Sequence, residues 1–175
     1  MKKVISLLLP ALLFSCDPPV QKEKSSEDRD PLREQFVQTN RYMQQRNQDQ
    51  IAAFVERLGW ESFTSASGLW IVMEEAGSGE RIKENDRVSY SYSSSLLDGT
   101  PCYESPEGIP FQLVVGKGGV ERGVEEGLLH LKSGSRAIML IPPHLAHGNF
   151  GDRKRIPGNS VLIYRLEIKE VKRAS

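Results

Sequence analysis

Between Val88 and Leu96 the chain reads VSYSYSSSL, so Val88, Tyr90, Tyr92, Ser94 and Leu96 alternate with Ser89, Ser91, Ser93 and Ser95. In an extended strand, period two puts the first set on one face and the serines on the other. In a helix the same residues would scatter around the circumference. A strand this long with one apolar face needs hydrogen-bonded neighbours and something to cover that face. Candidate neighbours lie on both sides. Leu69 to Glu75 reads as a short strand closed by Gly77-Ser78-Gly79, and Asp98-Gly99 supplies a hairpin turn. Phe111 to Val115 ends at Gly116, and Ala137 to Ile141 is a fully apolar strand stopped by Pro142-Pro143. Tyr164, Leu166 and Ile168 alternate with Arg165, Glu167 and Lys169 in a last strand.

One helix is available as cover. Val120, Val124, Leu128 and Leu131 fall at spacings of four, four and three, a single apolar stripe. Glu121, Glu125 and Glu126 stand toward its start, His130 and Lys132 at its end, and Gly134 just beyond, an order that suits the helix dipole and a glycine stop. The expected fold of residues 61–175 is therefore α+β, a curved antiparallel sheet wrapped around one short helix. Residues 31–60 predict a preceding helix, with Asp30 as N-cap and Pro31 at the first helical position. Its strong face is Ile51, Phe54, Val55 and Leu58, which should dock on the domain. Its Gln/Arg/Asn-rich middle, around Phe36 and Met43, reads as a stalk, with weak dimerisation through 31–60 as the second reading.

The first sixteen residues stand apart. Lys2 and Lys3 precede an apolar run from Val4 to Phe14, interrupted by Pro10, then Ser15 and Cys16. The run is about half the roughly 20 residues a membrane-spanning helix needs. Residues 1–16 read as a signal peptide. Leu13-Phe14-Ser15-Cys16 has the form of a bacterial lipobox, with Cys16 as the lipidated residue. Residues 17–30, DPPVQKEKSSEDRD, hold one aliphatic side chain and read as a flexible tether. The expected location is the cell envelope, lipid-anchored at Cys16 to a bacterial membrane and facing the periplasm. With two cysteines in all, the processed chain would keep one free thiol, Cys102, and no internal disulfide. The 23 basic and 23 acidic residues balance, and no basic cluster with interleaved aromatics appears, so nucleic acid is not an expected partner.

Few local motifs carry chemistry. His144 and His147 are three apart, but no nearby Cys, Asp or Glu completes a metal signature. Gly116-Lys117-Gly118-Gly119 lacks P-loop spacing and reads as a tight strand-to-helix turn. Cys102 has no activating cation beside it in sequence and reads as an inert buried thiol. Residues 148–155, with Asp152, Arg153, Lys154 and Arg155, read as a solvated flap.

The order of pieces is more specific than any one of them. Tyr92-(x5)-Asp98-Gly99 is followed by Pro110-Phe111-(x4)-Gly116 and by Val120-Glu121-Arg122-Gly123-(x2)-Glu126-Gly127. Then come Gly134-(x)-Arg136-Ala137, the run Ile141-Pro142-Pro143-His144-Leu145-Ala146-His147-Gly148, Ile156-Pro157, and Val161-Leu162-Ile163-Tyr164. Over about residues 68 to 172 this resembles the FKBP family of peptidyl-prolyl isomerases. Leu-Ala-His-Gly together with the lipobox is most similar to the gliding-motility-associated FKBP-type lipoproteins of bacteria. The resemblance implies an isomerase of proline-containing polypeptide clients that assists folding of exported proteins without a cofactor. It implies a pocket in which Tyr92 is a wall, Phe111 one side of a proline slot, and Val120 a ligand contact. The Glu121 N–H would donate to a substrate carbonyl, and Val124 would be the floor. His147 would stand where the family carries a donor Tyr, with Ile156 and Tyr164 closing the pocket. Leu145 is a further candidate. The family's Phe-Asp pair after Asp-Gly is replaced here by Cys102 and Tyr103, which removes an aromatic wall and a carboxylate; Tyr103 swinging in would restore the aromatic wall alone. A non-catalytic chaperone-like or assembly module, using the same groove without turnover, is the alternative that this departure raises.

Overall fold

The computed structural model describes residues 31–174. The expected signal peptide, lipobox and tether lie outside the described residues. Helix α1 (Pro31–Leu58) is followed by β1 (Ser62–Thr64), β2 (Trp70–Glu75), β3 (Arg87–Leu96), β4 (Pro101–Glu104) and β5 (Phe111–Val114). Helix α2 (Arg122–Leu128), β6 (Arg136–Ile141) and β7 (Leu162–Lys172) complete the chain. All seven strands form one antiparallel sheet in the order β1-β2-β6-β7-β3-β4, with β5 also paired to β3. The fold is the α+β arrangement expected, with an N-terminal helix ahead of it.

Strand β3 is the axis of the sheet. Along one edge it pairs with β7 over its whole length. Along the other it pairs first with β5, at Arg87 to Tyr90, and then with β4, at Ser93 to Ser95. Two short partners in succession make the sheet bend there and leave room between them. The β3–β7 register shifts between Ser89 and Tyr90, where Lys169 is the extra residue. Such a bulge increases local twist.

The uniform apolarity of β6 has a structural cause. Ala137, Met139 and Ile141 face the main core with Val124, Leu128 and Leu131. Ile138 and Leu140 face the other way, against Ile51 and Val55 of α1, with Val72, Val161 and Ile163. Both faces of the central strands are covered, so neither can be polar. The docked end of α1 differs from expectation in one residue. Leu58 stays exposed, whereas Asn47 is buried and donates from Nδ2 to Asn159 Oδ1 at 3.3 Å. The next residue, Gln48, accepts from the Trp70 indole at 2.7 Å and donates to the Gly68 carbonyl at 2.9 Å. Polar anchors thus extend the apolar stripe, which is why a hydrophobic count alone misplaces its upper edge. Among the described residues no helix is long and apolar enough to cross a membrane.

Helix α2 is shorter than its stripe, because Val120 and Leu131 lie in the flanking turns. It sits hard against β6. A Cβ on Gly123 would fall 2.3 Å from Ile141 Cγ2, and one on Gly127 the same distance from the Met139 thioether. The two glycines lower the helix onto the sheet. The glutamates at its start hold loops: Glu125 Oε1 accepts from the N–H groups of Gly116 (3.2 Å) and Gly118 (2.9 Å), and Glu126 accepts from the Ser67 hydroxyl.

Candidate functional site

The bend in the sheet, the start of α2 and the loop after β6 enclose a cavity of about 350 Å³. Strand β3 supplies Tyr90 and Tyr92, β5 supplies Phe111, and β7 supplies Tyr164. Val120 and Glu121 come from the turn into α2, and Tyr103 from β4. The rings pack on one another. Tyr92 stacks on Tyr164 at 5.3 Å between centroids and meets Phe111 edge-on at 6.1 Å, and Tyr90 lies 5.6 Å from Phe111. Edge-on and offset contacts of this kind fix ring orientation as well as burying area.

The polar groups inside are few and mostly interlocked. The Tyr164 hydroxyl donates to both oxygens of Glu121, at 3.1 and 3.2 Å. His147 Nε2 lies 3.0 Å from Glu121 Oε1. Burial, with the Glu121 charge added, pushes the Tyr90 and Tyr164 phenols far above their ordinary value, and raises Tyr92 as well. All three are neutral O–H groups at any physiological pH. The backbone at Glu121 is extended, as the residue before a helix should be, and its N–H meets no acceptor among the described residues. It is a donor at the mouth of the slot.

The loop 142–158 closes one side. Two single 3-10 turns, Pro143–Leu145 and Gly148–Phe150, carry His147 between them. Within 148–155, Asn149, Phe150 and Arg153 to Arg155 are exposed, as in a solvated flap, while Gly148, Gly151 and Asp152 are half-buried, and the segment is tied down. Asp152 accepts from the N–H groups of Lys154 and Ile156 at 2.8 Å each and from the Tyr103 hydroxyl. Gly151 has φ +64°, and a Cβ there would strike the Ile156 carbonyl oxygen at 2.0 Å, so only glycine fits this turn. Arg155 donates to the Cys102 carbonyl at 2.7 Å and lies over the Tyr103 ring at 5.4 Å. The Tyr103 hydrogen bond, first among the causes, holds the Asp152 carboxyl well below the usual carboxylate range.

Seven of the residues singled out by sequence therefore share one cavity: Tyr92, Tyr103, Phe111, Val120, Glu121, His147 and Tyr164. Four do not line it. Val124, Leu145, Ile156 and Cys102 are buried in the main core. Val124 packs wholly in that core, from the helix held close against β6. Ile156 serves the site through its N–H, which Asp152 accepts. The Cys102 thiol points inward, 3.7 Å from the Thr100 carbonyl, and burial pushes its pKa up, as for an inert thiol. Sequence reasoning missed Tyr90, Asp152 and Lys154 as lining residues. Tyr90 was findable, being on the same face of β3 as Tyr92. Asp152 reaches Tyr103 across 49 positions of chain, and nothing local signals that.

A larger groove of about 630 Å³ lies behind the sheet between α1 and the β3–β4 turn. Phe54 is its one ring, so it lacks the aromatic enclosure of the smaller cavity. Among the described residues no cluster of three or more His, Cys, Asp or Glu could hold a metal ion.

Fold and cavity together define a small α+β domain with a ring-lined pocket, its phenol hydroxyls neutral and one carboxylate, Glu121, among them. Residues 78–169 match the family model described as FKBP-type peptidyl-prolyl cis-trans isomerase, and the chain belongs to that family. It is 39% identical over 114 residues to the isomerase FkpA of Escherichia coli strain K12, covering 63% of this chain and 40% of that one. It is 37% identical over 105 residues to FK506-binding protein 4 of Chaetomium thermophilum, covering 60% of this chain and 22% of that one. The chain thus spans well under two thirds of these relatives. The crystal structure of FkpA from Escherichia coli superposes with a TM-score of 0.62 at 32% identity, over 84% of this chain and 75% of that one. An isomerase structure from Pseudomonas syringae pv. tomato DC3000 shares the fold, with a TM-score of 0.65 at 21% identity over 76% and 96% of the two chains.

Proposed function

We propose that the domain is a working peptidyl-prolyl cis-trans isomerase that assists folding of exported proteins from an anchor at the cell envelope. A prolyl bond isomerises over a barrier of about 18–20 kcal/mol, within tens of seconds or more. Lowering it requires no nucleophile, metal or cofactor. A dry slot that strips water from the amide weakens its resonance, and fixed donors hold the twisted state. The observation that carries this reading is the ring-lined cavity with the Glu121 N–H at its mouth. The Tyr90, Tyr92 and Phe111 rings would take the prolyl ring, and the Glu121 N–H would donate to a substrate carbonyl. His147, oriented by the Glu121 carboxylate, would stand beside the second carbonyl. The lipobox reading of Cys16 and the resemblance to gliding-associated lipoproteins support a periplasm-facing membrane anchor. The exposed Phe36 and Tyr42 on the free part of α1 support a weak dimer through 31–60.

The second reading, binding without turnover, is favoured by one observation. Cys102 is turned into the core and Tyr103 is tied to Asp152, so the family's Phe-Asp wall is absent in kind. Magnetisation-transfer NMR of a short Xaa-Pro peptide, with the full chain in detergent micelles, separates the two. Accelerated exchange that disappears in a Tyr92→Ala, Phe111→Ala variant supports the isomerase. Binding by a folded protein with no acceleration supports the pseudo-enzyme.

A further inference from the structure

The cavity contains a charge that prolyl isomerisation does not require. Apolar walls and neutral donors suffice for a twisted amide, and a carboxylate among them is costly to desolvate without a reason. Yet the Glu121 side chain is only 13% exposed and turns into the slot. Its oxygens accept from Tyr164 and face His147 Nε2. The phenols of Tyr90, Tyr92 and Tyr164 all feel its field, and none carries charge to offset it. Lys154 also lines the cavity but makes no ion pair with Glu121, and among the described residues His147 is the basic group that touches it. Ring faces carry negative potential and attract cations within about 6 Å, most strongly when water is excluded. A stacked pair, a third ring edge-on and a carboxylate at the end of the slot are the parts of a cation site. A cavity of this size is near the small end of ligand pockets, room for a prolyl ring and one neighbouring side chain.

We propose that the Glu121 carboxylate is a specificity determinant that selects prolyl segments whose residue next to the proline is Lys or Arg. The inference rests on the prolyl-binding reading of the slot and names its substrate class. An acidic neighbour would meet Glu121 as a like charge. An aliphatic neighbour would cover the carboxylate and return nothing. A basic one pairs with it through a charge-assisted hydrogen bond.

The test uses the full chain in detergent micelles with Ala-Xaa-Pro-Phe peptides, Xaa being Lys, Arg, citrulline, Leu or Glu. Both exchange acceleration and Kd are read by NMR. Lys and Arg peptides should exceed Glu by about tenfold or more, and Arg should exceed its uncharged isostere citrulline by a similar factor. In Glu121→Gln the Lys-to-Glu ratio should fall to within about twofold, the range left to a neutral amide. The citrulline comparison needs no variant and stands even if Glu121→Gln fails to fold. Equal treatment of Arg and citrulline, a preference for Leu over both basic peptides, or a Lys-to-Glu ratio unchanged in Glu121→Gln overturns the proposal. Selective binding of the basic peptides with no acceleration of any of them would refute turnover and leave the selectivity standing.

Discussion

Alanine at Gly123 and at Gly127 adds the same methyl group to the same helix, one turn apart, yet the two should differ in effect. Each gains about 0.8–1 kcal/mol of helix propensity. Each new Cβ would land 2.3 Å from a β6 side chain. Carbon atoms pack at about 3.5–4.0 Å, so more than an ångström of separation must be found. At Gly127 the obstructing atoms are the Met139 sulfur and terminal methyl, the end of a chain with three rotatable bonds, and they can swing aside. At Gly123 the obstruction is Cγ2 of Ile141, attached directly to a stiff β-branched carbon. The helix must lift instead. Overpacking of that kind costs about 1–3 kcal/mol, which leaves Gly123→Ala destabilised by up to roughly 2 kcal/mol net, whereas Gly127→Ala, with little overpacking to offset its propensity gain, stays neutral or slightly stabilised. Urea unfolding of both variants gives the numbers directly. Lifting the start of α2 also moves Val120 and the Glu121 N–H, and an ångström there can cost about 10²-fold in rate. Gly123→Ala should therefore lose isomerase activity even at temperatures where it is folded. Equal stabilities for the two variants, or a fully active Gly123→Ala, would refute this account of α2 as a helix held down by glycine.

Three further outcomes follow from the structure. Burial holds the Tyr90 and Tyr164 phenols far above the ordinary 10.0. The unfolded chain releases those protons from about pH 10 while the fold retains them, so stability is intact below pH 10 and falls above it, by up to about 1.4 kcal/mol per pH unit for each tyrosine. Phenolate absorbance should rise together with alkaline unfolding, and early titration of all tyrosines in the folded state would contradict the burial. Ile51→Ala removes a side chain fully enclosed between α1 and the back of the sheet, and should cost about 2–5 kcal/mol by urea unfolding; a change below about 1 kcal/mol would mean that α1 does not dock there. If the exposed Phe36 and Tyr42 serve a weak dimer, light scattering should show mass rising with concentration, and Phe36→Glu with Tyr42→Glu should abolish the rise, whereas a monomer at every concentration would exclude it.

What could be read in advance was whatever repeats along the chain. Alternation from Val88 to Leu96 located β3, and the unbroken apolar run from Ala137 to Ile141 was already the signature of a strand covered on both faces. The sequence held that second fact, but it became specific only when α1 was seen to bury Ile138 and Leu140. The short strands β1 and β4 escaped, because three or four residues are too few to show a period. The site was legible where side-chain type and spacing coincide with chain order, as for Tyr92, Phe111 and Tyr164. It was illegible where a loop folds back. The family's carboxylate appeared lost at Cys102-Tyr103, yet an acid does stand at that wall, delivered by Asp152 from the loop and joined to Tyr103 through its hydroxyl. The same loop sends Arg155 to the Cys102 carbonyl. Both contacts come from the segment 152–155 and end on adjacent residues of β4. Asp152 and Arg155 thus clasp β4 from a distant loop, a tertiary contact where a local pair was expected.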